Sequence, residues 1–381
     1  MEMQIARALE ATLSPHPPSV APATCRSALT DLPDCSHRVA VVLRLTGILV
    51  TVLCAIASAV LTWPAFFRLE RVYPVAQIVS FRGIVAAAFA IAVVVGLLLA
   101  LIRPIRVLAL SLTVVAAIAA VANGAILAGR GGLGTDALPA KTDSAVRVMT
   151  WNTAGPATSP ETIAKIAVAM DADIVALPET TIETGERVAI AMRDLGHRMW
   201  AHHAQDPSTE WDAGSTTLLI SPDMGEYAVI ESSLDGTSNT STVPSAVAMP
   251  TDGDGPIVVA AHAVAPRPSY MQEWRDDLQW LADQCATANV IMAGDFNATV
   301  DHMSALGVGG GTLGLCRDSA VASGNGAIGT WSVGMPAVLG TPIDHVMTSS
   351  KWEATGSLVL RSMDDSGSDH RPLIVQLEPV D

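Results

Sequence analysis

The chain has 381 residues, half of them apolar, and 22 Arg and Lys against 37 Asp and Glu give a formal net charge of −15. The imbalance is uneven: ten Arg and Lys face six Asp and Glu up to residue 140, and twelve face 31 beyond it, so the second part alone is near −19. A protein that grips nucleic acid regardless of sequence neutralises phosphates with Lys and Arg. The acidic part therefore argues against a long polyanion as partner and is compatible with small or lipid-borne phosphates.

Residues 1–38 form a polar tail with a Pro-rich stretch, Ser14-Pro15-His16-Pro17-Pro18. It holds no short apolar core ending in a small-residue cleavage site, so a cleaved signal peptide is not expected. Three runs without a charged side chain follow, Leu45–Phe67, Gly83–Ile102 and Val107–Gly129, of 23, 20 and 23 residues. About 20 apolar residues span a hydrocarbon layer of roughly 30 Å, and backbone amides in lipid must bond within their own segment. Residues 39–130 thus read as three transmembrane helices; the competing reading is three buried helices of a soluble core. Trp63, Phe66, Phe67 and Tyr73 fall between the first two runs, where amphipathic rings mark the headgroup level.

Flanking cations are balanced between the two sides. The tight Arg103-Pro104-Ile105-Arg106 turn favours a cytoplasmic N-terminus, and an acidic domain is exported whatever its charge. The expectation is a multi-pass plasma-membrane protein with its soluble domain outside the cytoplasm. Residues 131–144, with Gly131-Gly132-Leu133-Gly134 and Pro139, read as a flexible connector. Gly129, Gly131 and Gly134 match GxGxxG spacing, but they follow a membrane helix rather than a strand, which argues against dinucleotide binding.

Beyond the connector, residues 145–381 mix short apolar runs with charged stretches. Strands are predicted at 146–151, 173–177, 215–220, 257–262, 290–294, 343–348 and 373–377, and helices at 161–170, 186–195 and 270–286. Only Cys285 and Cys316 of the five cysteines lie here, with no zinc-type Cys/His spacing. Two cysteines permit one disulfide in an oxidising compartment, or remain two separate buried thiols.

Polar residues of few kinds recur where the strands stop: Asn152, Glu179, His262, Asp295 with Asn297, Asp344, and Asp369 with His370. Strand ends bring together side chains far apart in sequence. Taken singly, each has a plain structural reading. Glu179 is a solvated carboxylate, Gly294-Asp295-Phe296-Asn297 an Asx-turn and His262 a structural imidazole. Taken together they match what phosphate ester hydrolysis needs: charge neutralised on non-bridging oxygens, an activated water and a stabilised leaving oxygen. Glu179, Asn152 and Asp369 offer the oxygen ligands that Mg²⁺ or Mn²⁺ takes. Asp295 and Asn297, two apart on an extended chain, point to one side and are placed to align a water. Asp344 is an acid able to fix the tautomer of His370.

The ordered motifs Thr150-Trp151-Asn152, Leu177-Pro178-Glu179, Ala261-His262-Ala263, Gly294-Asp295-Phe296-Asn297, Pro342-Ile343-Asp344-His345 and Ser368-Asp369-His370-Arg371-Pro372 resemble the endonuclease/exonuclease/phosphatase superfamily over residues 145–379. The resemblance implies a four-layer α/β sandwich, two mixed sheets flanked by helices, carried here behind a bundle of three transmembrane helices. It implies Asn152, Glu179 and Asp369 at a metal, Asp295 orienting or deprotonating the attacking water, Asn297 on a phosphoryl oxygen, His262 donating to the phosphoryl group and His370, paired with Asp344, as base or charge stabiliser. Pro178 departs from the Gln that many members place before the metal-binding Glu. The architecture is also similar to membrane-anchored members linked to glycopeptide resistance, which are thought to act on lipid-carrier intermediates. The reading that follows is a Mg²⁺- or Mn²⁺-dependent phosphoesterase acting on a lipid-linked phosphate or diphosphate at the membrane. The alternatives are a surface nuclease or nucleotide phosphodiesterase, and a catalytically silent membrane receptor or scaffold.

Overall fold

The computed structural model describes residues 32–208 and 211–380; most of the tail assigned to residues 1–38 lies outside them. The chain divides into two units, one ending at Val50 within the first helix and one running from Thr51. Helix α1 covers Leu32–Thr62, α2 Val75–Ser80, α3 Arg82–Leu99 and α4 Arg106–Gly129. The stretches His37–Thr62, Arg82–Leu99 and Arg103–Gly129 are long and apolar enough to cross a membrane. The first begins and ends earlier than its charge-free run suggests. A proline restricts the residue before it and lacks the N–H a helix needs, so the helix stops ahead of Pro64, and Pro64–Phe67 form a separate 3-10 turn. Helices α3 and α4 pack closely where Gly96 meets Thr113: a Cβ on Gly96 would lie 2.2 Å from the Thr113 Oγ1. Small residues allow this approach between apolar helices.

The soluble part begins with β1 (Val146–Thr150), α5 (Pro160–Ala169), β2 (Ile174–Pro178), α6 (Ile182–Asp194), β3 (Trp200–Gln205), β4 (Ser215–Ile220), β5 (Tyr227–Val229), β6 (Ala246–Pro250) and β7 (Ile257–His262). It continues with α7 (Met271–Gln284), β8 (Val290–Asp295), α8 (Val300–Met303), β9 (Leu306–Gly307), β10 (Leu313–Gly314), β11 (Arg317–Asp318) and α9 (Ser319–Ala322), and closes with β12 (Asp344–Thr348), β13 (Trp352–Val359) and β14 (Leu373–Pro379). Two six-stranded mixed sheets result, in the orders β13-β14-β1-β2-β4-β3 and β11-β12-β8-β7-β6-β5. Each is built around one parallel pair, β1 with β2 and β7 with β8, flanked by antiparallel neighbours.

Successive side chains of a strand point to opposite faces, and the burial follows that period of two. Val148, Ile174, Ala176, Leu218, Ile220, Val258, Ala260, Ile291 and Ala293 fill the layer between the sheets. The alternate residues Met149, Trp151, Val175, Leu177 and Leu219 pack under α5 and α6, and Val259, Ala261, Val290 and Met292 under α7. Both faces of the central strands are covered, which explains their nearly unbroken apolar runs. This is the expected four-layer sandwich.

The segment expected to be a flexible connector is pinned instead. Gly131 (φ +79°) leaves no room for a Cβ against Gly324, Asn325 Oδ1 accepts from Thr135 N at 3.1 Å, and Thr135 Oγ1 donates to Ser357 O at 2.9 Å. Leu138 joins the cluster beneath α5 and α6. Glycine content raised the expectation of mobility; here glycine serves close approach. Cys285 and Cys316 form a disulfide with Cα atoms 5.6 Å apart, which settles the open alternative between bridge and separate thiols.

Candidate active site

The parallel strands of the second sheet end in a row. His262 of β7 is in register with Asp295 of β8, and Asp344 of β12 is in register with Asp295 on its other side. In the first sheet Asn152 follows the end of β1 and Glu179 the end of β2. Asn152 joins the two sheets: its Nδ2 donates to Glu179 Oε1 and Asp295 Oδ2, both at 3.1 Å. Glu179, Asn297 and Ala154, which follows Asn152 by two residues, all have left-handed backbone, with φ of 55°, 46° and 52°. For residues other than glycine this conformation is strained, and such strain gathers at functional sites. Gly294 is required by crowding, since a Cβ there would lie 1.9 Å from Ala261 O.

His370 comes from the segment entering β14. Its Nδ1 is 2.8 Å from Asp344 Oδ2, and its Nε2 lies 3.8 Å from Asp295 Oδ2 and 4.0 Å from Asp369 Oδ1. Ser368 Oγ accepts from His370 N and donates to Asn152 O at 2.6 Å, while Trp151 Nε1 donates to His370 O, so both sheets hold this segment. Asp295 is held by Asn297 N at 2.8 Å, and the Asn297 amide donates to Ala263 O at 2.9 Å and Asp295 Oδ2 at 3.3 Å. His262, Asp295, Asp344 and His370 are all buried, Glu179 is half-buried, and the Asp369 side chain is exposed.

Burial works against charge on His370, but Asp344 and Asp295 hold its proton well above the usual imidazole range. Burial pushes the Asp295 carboxyl up, the His370 charge opposes this, and Asp344 adds to it. His262 is pushed down to about 3 by burial and by the nearby His370 charge. The site therefore contains a neutral imidazole, an imidazolium between two acids and a carboxyl with raised proton affinity. Perturbed groups of this kind, converging in one place, mark a functional site.

All eight residues expected from the sequence meet in this region. Asn152 turns its nitrogen to the carboxylates, while its Oδ1 accepts from Ala154 N at 3.0 Å. Asn297 spends its amide hydrogens on Ala263 and Asp295. The residues missed from sequence are supports. Trp331 Nε1 donates to Asp369 Oδ2 at 2.8 Å. Arg371 is buried and donates to the carbonyls of Gly329, Ser332, Val333 and Met335 as well as to Asp364. Arg371 stood within a quoted motif, adjacent to His370; Trp331 carried no signal of its own.

The donor set fits a hard divalent cation. Asp295, Asp344 and His370 have ligand atoms within 4.8 Å of one another, and Asp344 Oδ1 is buried with no hydrogen-bond partner. His370 already bridges those two acids. The Glu179 and Asp369 carboxylates are further oxygen donors of the site, whereas Asn152 Oδ1 already accepts from Ala154 N.

The family model described as the Endonuclease/Exonuclease/phosphatase family matches residues 149–370, and the chain belongs to that family. Its members are typically phosphoesterase hydrolases that use divalent metal ions. Among solved structures the chain is similar to an endonuclease/exonuclease/phosphatase from Beutenbergia cavernae DSM 12333, at 17% identity, 62% of this chain, 72% of the other and a TM-score of 0.48. It is similar to one from Bacteroides vulgatus, at 15%, 63%, 100% and 0.46, and to D. rerio TDP2 complexed with single strand DNA product, at 17%, 62%, 100% and 0.47. No curated protein matches the chain.

Proposed function

We propose that the chain is a membrane-anchored, divalent-metal-dependent phosphoesterase that hydrolyses a lipid-linked phosphate or diphosphate ester by attack of water. The observation that carries this reading is the row His262, Asp295 and Asp344 at adjacent strand tips, facing Glu179 across the Asn152 amide. Glu179 and Asp369 would hold a Mg²⁺ or Mn²⁺ ion, with Asn152 joining them if its amide oxygen turned from Ala154 N, and the ion would supply charge neutralisation on the phosphoryl oxygens. Asp295, its proton affinity raised by burial, aligns a water and takes its proton. Asn297 keeps the Asp295 carboxylate in place through its backbone N–H. His262, neutral, donates to the phosphoryl group, and His370, held by Asp344, stabilises the charge that develops there.

Two features support a lipid-borne substrate. Three apolar helices keep the site close to a bilayer, and the acidic balance disfavours DNA. The disulfide supports an extracytoplasmic domain at the plasma membrane, since such bridges persist in oxidising compartments. The test is hydrolysis by the full-length protein in lipid nanodiscs, with and without Mg²⁺, read as phosphate release from polyprenyl diphosphate and nucleotides and as cleavage products from phospholipids and DNA. Turnover of a lipid substrate that is lost in Asp295→Ala is expected. Turnover of DNA alone makes the chain a nuclease, and no turnover of any substrate removes the enzymatic reading.

A further inference from the structure

Asp369 is the most exposed acid of the site, with a side chain 57% exposed. A carboxylate so placed has several rotamers open to it. Among the described residues, the Trp331 indole N–H, at 2.8 Å from Oδ2, is the hydrogen-bond donor that holds it. That bond leaves Oδ1 turned towards His370 Nε2. The Trp331 backbone is paired with His370 and Thr341, and Val333 N donates to Asp369 O at 3.0 Å. Trp331 is thus fixed to the same short segment that it orients.

The Trp331 ring is braced from outside the soluble domain. Phe81 lies 6.0 Å from it, ring centre to ring centre, at 54°, within the distance over which aromatic rings interact. Phe81 immediately precedes α3, and its position is set by its neighbours. Arg82 donates to Asp301 Oδ2 at 2.9 Å and to Asn123 Oδ1 at 2.6 Å, and Gly83 lies so near Val338 O that a Cβ would come within 2.2 Å. A line of contacts runs from the first turn of a membrane-crossing helix through Phe81 and Trp331 to Asp369.

We propose that Trp331 is a positioning residue for Asp369 and that Phe81 braces it, so that the start of α3 is part of the support of the active site. This rests on the phosphoesterase reading for its kinetic consequence, and on the metal-ligand role of Asp369 for its binding consequence. The experiment uses the full-length protein in nanodiscs with bis(4-nitrophenyl) phosphate and Mn²⁺ as probes, and follows Mn²⁺ binding without substrate by electron paramagnetic resonance. Trp331→Phe keeps the ring and removes the donor. A kcat lower by about tenfold, KM within about twofold and a similar loss of Mn²⁺ affinity are expected. Phe81→Ala lowers kcat by about threefold, and Phe81→Leu, which keeps apolar bulk, recovers it. Thermal melts of all three variants separate positioning from unfolding, and Phe81→Leu remains informative if Phe81→Ala does not fold. Wild-type kcat and Mn²⁺ affinity in Trp331→Phe overturn the positioning role, and wild-type behaviour of Phe81→Ala overturns the brace. If the wild type hydrolyses no ester, the phosphoesterase reading falls and Mn²⁺ affinity alone decides the positioning; absence of both overturns both.

Discussion

Asp295 and His302 illustrate two different uses of a buried titratable group. Asp295→Asn keeps an acceptor for Asn297 N, gives up the one for Asn152 Nδ2 and removes the base, so phosphate release is expected to fall by about 10²- to 10⁴-fold with the protein still folded in a thermal melt. His302 is structural. It is buried beneath Trp274, its Nε2 is 3.0 Å from Ala76 O, and burial pushes its proton affinity down to about 4. Between that value and its ordinary 6.5 the unfolded chain binds a proton that the folded chain does not. Its contribution is therefore complete above about pH 6.5 and declines as pH falls towards 4, by roughly 3 kcal/mol at most. The melting temperature of His302→Asn is expected to fall less between pH 7 and pH 4.5 than that of the wild type; equal slopes would discard the assignment. The eight candidate residues were legible in sequence because each stands at or near one end of a strand in a short motif. Trp331, Asp301 and Arg371 were not, because their roles depend on partners far away in the chain.

The central strands were legible for a related reason. Two-sided burial gives β1, β2, β4, β7 and β8 short, mostly apolar runs broken chiefly at their ends, and their predicted bounds hold to within a residue or two. Of the strands missed, β9, β10 and β11 are only two residues long, and β3, β5, β6 and β13 lie at or next to sheet edges, where solvent admits His202, His203, Glu353 and Thr355 and blurs the pattern. Helix α6 begins at Ile182, four residues before the predicted start, because Thr181 caps it by accepting from Thr184 N. The disulfide joins the end of α7 to the residue before β11 and closes a loop of 31 residues. A loop of that length gives roughly 3.5 kcal/mol through restriction of the unfolded chain. Cys285→Ala with Cys316→Ala is expected to lower stability by that order in chemical denaturation, and reduction of the wild type should reproduce the loss.

At the scale of the molecule, the soluble part is tied to the apolar helices α3 and α4 by charge rather than by a loose tether. Asp301 accepts from Arg82 at the start of α3 and from Arg130 just after α4, through bonds of 2.7 to 2.9 Å, and both cations hold its carboxyl well below the usual range. Removing one partner of a buried ionic group leaves the others uncompensated. Asp301→Asn is expected to cost about 3–5 kcal/mol in thermal or denaturant unfolding, and Arg82→Met with Asp301→Leu should cost less than Asp301→Asn alone. From sequence, Arg82 and Arg130 were legible only as cations flanking apolar runs. The contact layer between the sheets has a consequence of its own. Much of it is alanine, including Ala176, Ala246, Ala248, Ala260 and Ala293, and Ala260 and Ala293 stand two residues before His262 and Asp295. Methyl groups set how near the two halves lie, and so how wide the mouth gapes between Glu179 on one jaw and His262 with Asp295 on the other. A bulkier residue at Ala293 acts as a wedge, prying the jaws apart without touching any reacting group.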